Sequence, residues 1–127
     1  VLIGAGKLGR ALLGYSGFAE YGLNIVAAFD ANDAIIGTSK SGKPIMHMSR
    51  LEEFCRRNKV QIGIITVPAE DAQNVCDRLI ECGIRAIWNF APKHLDVPED
   101  ILVQNENMAA SLALLSKHLS YKIHSEE

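Results

Sequence analysis

The opening stretch VLIGAGKLGRALLGY, Val1–Tyr15, constrains the fold more than any other part of the chain. Three apolar residues, then Gly4, Gly6 and Gly9, then a helical pattern describe a strand that turns tightly into a helix. In a dinucleotide-binding loop of this kind the first glycine permits the turn and the second lets the backbone approach a pyrophosphate. The third lets the helix pack close to the strand. The backbone N–H groups of Gly4, Ala5, Gly6, Lys7, Leu8 and Gly9 would then face the phosphates at the positive end of the helix. Only Val1, Leu2 and Ile3 precede Gly4, whereas a buried parallel strand usually has about five or six residues. The chain is therefore expected to begin inside its first strand, after a segment that is missing.

An acid answers the glycines. NIVAAFD is a continuous apolar run ending in Asp30, 21 positions after Gly9, near the spacing of about 20 for the acid that binds an adenosine ribose. A carboxylate there accepts hydrogen bonds from ribose hydroxyls and repels a 2′-phosphate. Ala31 supplies no arginine to receive such a phosphate, which favours NAD over NADP. The plainer alternative is that the three glycines only make a strand-to-helix turn and Asp30 caps the next segment.

The remaining chain alternates strands and helices. ANDAIIGTSKSGKPIMHM carries Gly37, Gly42 and Pro44 and predicts a small excursion or hairpin. SRLEEFCRRNK has Ser49 and Glu52 at the spacing of a capping box. VQIGIITV is a third strand stopped by Pro68, and AEDAQNVCDRLIECG a helix with Ala72, Val75, Cys76, Leu79 and Ile80 on one face and Gly83 just past its end. IRAIWNFAP and ILVQN are a fourth and a fifth strand, and NENMAASLALLSKHLSYK a terminal helix of about 105–122, followed by a polar tail, HSEE, expected to fray. This alternation implies an α/β fold, a doubly wound parallel sheet of Rossmann type with an order such as 3-2-1-4-5, filling the 127 residues as one domain.

In such a sheet a ligand crosses the carboxyl ends of the strands at the switch point. Thr66, Val67 and Pro68 after the third strand, and Asn89, Phe90, Ala91 and Pro92 after the fourth, are the candidates to line that crevice. These stretches are mostly apolar, which suits a neutral reduced nicotinamide better than a cationic oxidised one. Taken singly, Val67 and Phe90 fit equally well as core residues.

Catalytic chemistry is not evident. A hydride-transfer enzyme needs an acid or base beside the nicotinamide. Of His47, His94, His118 and His124 only His94 follows a strand's carboxyl end, in a loop, PKHLDVP, that suits a solvated side chain better than a catalytic one. Cys55, Cys76 and Cys82 have no metal-ligand or CxxC spacing and are expected to be reduced and buried. With 13 basic and 15 acidic residues and a net charge of -2, this chain is not suited to bind nucleic acid unaided. No run of about 18 apolar residues predicts a membrane span, and nothing has the pattern of a signal peptide, so the cytoplasm is the expected location.

The terminal helix adds a second clue. Met108, Leu112, Leu115 and Leu119 form one apolar stripe, which Ala110 and Leu114 widen. Such a helix packs either on its own sheet or, by exchange or docking, on a second subunit.

Together these segments resemble the redox-sensing transcriptional repressor family Rex, in its C-terminal NAD(H)-binding domain. The resemblance covers essentially the whole chain and is carried by GAGKLGRALLGY, AAFD, IIGTSKSGKPI, IGIITVPAEDAQNVCDRLIECGI and most specifically IRAIWNFAPKHLDVPEDILVQNEN. It implies a homodimer, with the terminal helix exchanged between subunits, an N-terminal winged-helix domain that binds operator DNA and is absent from this sequence, and release of DNA when NADH binds. It further implies that Gly4 to Gly9 hold the pyrophosphate, that Asp30 holds the adenosine ribose and that Tyr15 lies near the nicotinamide. At the start of the terminal helix, where some members carry an acid and then an aromatic or apolar residue, this chain has Asn107 and Met108. Two other readings share the fold: the cofactor-binding part of a small NAD(P)-dependent reductase, and a CoA- or nucleotide-binding regulatory domain.

Overall fold

The computed structural model describes residues 1–106 and 108–125, with side chains for 1–106 and 115–123. Seven strands form one sheet: β1 (Leu2–Ile3), β2 (Ala28–Asp30), β3 (Gly37–Thr38), β4 (Pro44–His47), β5 (Ile62–Ile65), β6 (Ala86–Asn89) and β7 (Leu102–Asn105). Four α-helices accompany them, α1 (Lys7–Leu13), α2 (Leu51–Asn58), α3 (Ala69–Glu81) and α4 (Met108–Ser125). The spatial order is β3-β4-β2-β1-β5-β6-β7, and every neighbouring pair is parallel except the β3–β4 hairpin.

Strand alternation builds two cores. Ile3, Phe29 and Ile65 point to one face of the sheet, where they pack with Leu51 and Cys55 of α2 and Val75, Cys76 and Leu79 of α3. Their neighbours Leu2, Ala28 and Ile64 point to the other face, against Leu13 of α1, Ile25 and Ile45. Apolar residues at consecutive positions thus bury on opposite sides, as a parallel sheet covered on both faces requires. Each of the fully buried large side chains, Phe29, Leu2, Ile3, Ile64, Ile65 and Leu79 among them, contributes about 1.5 to 3 kcal/mol.

The α/β architecture agrees with the sequence-based expectation, but the strand order needs one correction. The third strand expected from VQIGIITV, now β5, pairs with β1 and not with β2. The place beside β2 is taken by β4, from within the glycine-rich excursion, with Ala28 opposite Ile45 and Asp30 opposite His47. Counting β4 as the third strand restores the doubly wound order, with β3 added at the edge. Ile45 and Met46 explain the difference: Ile45 is buried against the second core and Met46 packs against the first, which gives this short segment a reason to join the sheet.

Local details differ too. Ser49 does not form a capping box; it sits in a single 3-10 turn, Met48–Arg50, whose cap is the His47 ring nitrogen Nδ1 accepting from the Ser49 N–H at 3.1 Å. Glu52 reaches across to α3 instead. The end of α3 is as expected: the Ile84 N–H donates to the Leu79 carbonyl and the Gly83 N–H to that of Ile80, with Gly83 at φ +94°. The first half of the tail HSEE, expected to fray, is helical, because α4 continues through His124 to Ser125; Glu126 and Glu127 lie outside the described residues. Among the described residues no helix is long and apolar enough to cross a membrane.

Candidate dinucleotide site

The glycine loop is built by two close approaches. Gly4, directly after β1, has φ +101°, and a Cβ there would come within 2.9 Å of the Thr66 hydroxyl. A Cβ on Gly9 would run into the Gly4 carbonyl oxygen, so the first turn of α1 lies against the end of β1 only because residue 9 has no side chain. Gly6 is different: a Cβ there would meet nothing within 4 Å. Its bare face points into open space, the side from which a ligand would approach. No side chain caps α1 at Gly6, so protein side chains leave the first-turn N–H groups available.

Two side chains hold this loop in place. The Ala5 N–H donates to Asp30 Oδ2 at 2.8 Å, while Asp30 Oδ1 accepts from the Asn32 N–H at 2.8 Å. The Asp30 carboxylate therefore bridges the ends of β1 and β2, and each oxygen keeps a lone pair for a further donor. From the other side the Thr66 Oγ1 lies between two carbonyl oxygens, at 2.9 Å from that of Ile3 and 2.6 Å from that of Gly4, to which it donates. Thr66 was expected to line the crevice; it also ties the end of β5 to the glycine loop.

Between these anchors lies a cavity of about 600 Å³, bordered by Gly4, Gly6, Asp30, Thr66, Val67 and Pro68. Its size falls within the range of about 300 to 1,000 Å³ usual for small-molecule and cofactor sites. The far wall comes from Met48 and from Asn74, Val75 and Arg78 of α3, none of which was expected at the site. Arg78 is held there by a bidentate pair with Glu52, its Nε at 2.9 Å from Oε1 and Nη2 at 3.1 Å from Oε2, and by a bond from Nη2 to the Met48 carbonyl at 2.9 Å. The one signal that could have found it is an arginine three positions after Val75, on the margin of the apolar face of α3. The Glu52 carboxyl is held below its usual value: partial burial opposes this, but hydrogen bonds from its own backbone N–H and from Arg78 outweigh it.

The other expected residues fall in several places. Ala5 is buried and Leu8 half-buried, while Lys7 is exposed and borders a second cavity beyond α1, together with Arg10, Ser39 and Lys40. Tyr15 is 57% exposed, with its ring edge-on to Phe18. Asn89 ends β6, and Phe90, Ala91 and Pro92 follow it beside the end of β5, since the Phe90 N–H donates to the Ile65 carbonyl at 2.9 Å. None of these four borders the cavity next to Asp30. Asn89 is only 1% exposed and its amide is spent inside the loop: Nδ2 contacts the carbonyls of Ala91 and Lys93, Oδ1 accepts from the Ala91 N–H, and Nδ2 also reaches Asn105 Oδ1. Asn107 and the side chain of Met108 lie outside the described residues.

Among the described residues no group of three or more histidine, cysteine or acidic side chains could hold a metal. The three cysteines are free thiols, and burial pushes Cys55 and Cys76 up to about 11, where the thiolate is scarce at neutral pH.

The chain matches the family model described as CoA binding domain over residues 1–93. It is 49% identical over 114 residues to the redox-sensing transcriptional repressor Rex of Porphyromonas gingivalis, which covers 90% of this chain and 52% of that protein. It is similar at 38% identity to solved structures of RSP, a Rex-family repressor: one in complex with β-NADH, at a TM-score of 0.89, and one with β-NAD+ and operator DNA, at 0.87. These cover 98% of this chain and 60% and 58% of the RSP chains respectively. The chain thus spans about half the length of the curated relatives it matches. A turn at Gly4, a helix packed on Gly9, an acid at the end of β2 and a matching course of the chain from end to end lead to one assignment. The chain belongs to the CoA binding domain family and, within it, to the type of domain that Rex repressors carry.

Proposed function

We propose that this domain is the NADH-sensing part of a homodimeric transcriptional repressor, acting in the cytoplasm and without catalytic activity of its own. The observation that carries the proposal is the Asp30 carboxylate, fixed on the glycine loop at the mouth of a cavity of about 600 Å³. In this reading Asp30 receives the adenosine ribose and the open face at Gly6 receives the pyrophosphate. Thr66, Val67 and Pro68 line the path between them. The aromatic ring of Tyr15 and the loop Asn89–Pro92 bound the nicotinamide end, where Asn107 and Met108 join them. The similarity to RSP, solved with NADH and with NAD+ on operator DNA, supports both the ligand and the partner.

The DNA-reading part would be an N-terminal winged-helix domain outside residues 1–127. The terminal helix would cross to a second subunit, because its described apolar side chains are left more than half exposed: Leu115 is 64% and Leu119 56% exposed. A ligand that moves such a dimer from 1:99 to 99:1 between two arrangements needs about 5.5 kcal/mol of differential affinity. Calorimetric titration of the full-length protein with NADH, NAD+ and CoA tests this directly. NADH is expected to bind more tightly than NAD+; equal affinities would remove redox sensing, and tighter binding of CoA would replace the ligand.

A further inference from the structure

We propose that Trp88 and Glu106 form the joint through which the state of the dinucleotide site is passed to the terminal helix, a role that rests on the sensor function above. The Trp88 indole Nε1 donates to Glu106 Oε1 at 3.3 Å, and the Glu106 N–H donates to the Asn89 carbonyl at 2.9 Å. The preceding residue is tied as well, since Asn89 Nδ2 reaches Asn105 Oδ1 at 3.1 Å. The chain that leaves β7 for α4, which begins at Met108, is therefore held at both Asn105 and Glu106, and each tie runs to β6.

β6 is in turn joined to the cavity. The Phe90 N–H bonds the carbonyl of Ile65, and the next residue, Thr66, borders the cavity and holds Gly4. The Phe90 ring lies 4.8 Å from that of Trp88, centroid to centroid, and Trp88 is edge-on to Phe18 at 5.5 Å. Trp88 thus has one edge in an aromatic stack that ends at exposed Tyr15 and its N–H on the acid that precedes the helix. Packed rings exchange discrete arrangements and do not deform smoothly, so a shift of Phe90 or Phe18 moves the indole N–H relative to Glu106. Trp88 and Glu106 are both half-buried, and their hydrogen bond is partly shielded from competing water. Coupling through such a joint is a free energy that links two sites, and its loss is measured as a ratio of affinities.

The test uses the full-length protein and a DNA duplex enriched in vitro by the wild type. The ratio of DNA dissociation constants with and without saturating NADH is measured, alongside calorimetric NADH affinity. Glu106→Ala and Trp88→Phe are expected to bind NADH as the wild type does, while a ratio in the usual range of about 5 to 150 collapses towards one. Glu106→Gln, which keeps the acceptor oxygen, is expected to retain the ratio. A wild-type ratio in Glu106→Ala overturns the joint, as does an equal loss in Glu106→Gln and Glu106→Ala. Parallel loss of NADH affinity in Glu106→Ala also overturns it, because the acid would then be part of the binding site. If NADH leaves the DNA affinity of the wild type unchanged, the sensor reading itself falls.

Discussion

Ala5 donates its backbone N–H to Asp30 Oδ2 across 2.8 Å, so the acid that ends β2 also fixes the loop that follows β1. In the proposed site the same carboxylate also accepts from a ribose, and losing it would remove both interactions. Asp30→Ala is expected to weaken NADH binding by about 1 to 3 kcal/mol, the scale of a hydrogen bond to a charged group and of an orphaned partner. Titration calorimetry checks this, and an unchanged dissociation constant would take Asp30 out of the site.

Gly6 and Gly9 separate binding from folding within one loop. Gly9→Ala forces a methyl into the Gly4 carbonyl and to within 3.1 Å of Leu2, and is expected to cost about 2 to 3 kcal/mol, lowering the melting temperature by roughly 8 to 15 °C. Gly6→Ala meets nothing in the chain, so the melting temperature should hold while NADH affinity falls more than about tenfold, which is 1.4 kcal/mol. Thermal melts with and without NADH distinguish the two variants. Equal melting behaviour would contradict the assignment of the open face at Gly6 to the ligand.

Asn89 shapes the loop after β6 from inside. Asn89→Ala leaves the Ala91 N–H and the carbonyls of Ala91 and Lys93 without their amide partner in a site that is 1% exposed. The expected loss is about 1 to 3 kcal/mol for each buried group left unpaired, reduced where water can enter. Denaturant unfolding gives the stability, and hydrogen exchange at Ala91 should rise selectively. Protection unchanged at Ala91 would show that the loop holds its shape without the amide.

The ion pair of Glu52 and Arg78 predicts a pH dependence. The Glu52 carboxyl is lowered in the folded protein from its ordinary 4.5, so the pair contributes stability above that value and loses it as pH falls through the folded value. Both side chains are more than a third exposed, and the contribution is therefore no more than about 1 kcal/mol. Glu52→Gln should flatten the decline in stability below pH 4.5 and change little at pH 7 beyond that amount. Parallel stability curves for the variant and the wild type in acid would assign the decline to other carboxylates.

How much of this was legible beforehand depends on whether a residue acts locally. Gly4, Gly9 and Asp30 could be placed because a turn, a close packing and an acid at a fixed spacing are encoded within a short range. β4 was missed as the third strand because Ile45 and Met46 make only a two-residue apolar run behind Gly42 and Pro44, and only the partner strand with Ala28 reveals why Ile45 is buried. Arg78 and Met48 entered the cavity wall through a contact between α2 and α3 that no local pattern carries. Asn89 was placed at the right end of the fourth expected strand, but its inward amide depends on Asn105, which lies on the next strand. Spacing along the chain thus located the loop, and the tertiary partners decided what each side chain does there.

In the proposed homodimer the terminal helix is expected to hold the two subunits together. Leu115, Leu119 and Ile123 recur at four-residue intervals and all are half or more exposed, so they form a face that the described residues cover only in part. Burying such side chains against a partner contributes about 1.5 to 3 kcal/mol each, enough across a two-fold interface to decide association at micromolar concentration. Replacing Leu115 and Leu119 by lysine should therefore yield a monomer in sedimentation at concentrations where the wild type is dimeric. The fold of residues 1–106 should persist, because the described members of both cores all come from that segment. A double variant that sediments as a dimer would place the interface elsewhere on the sheet and remove helix exchange from the proposed arrangement.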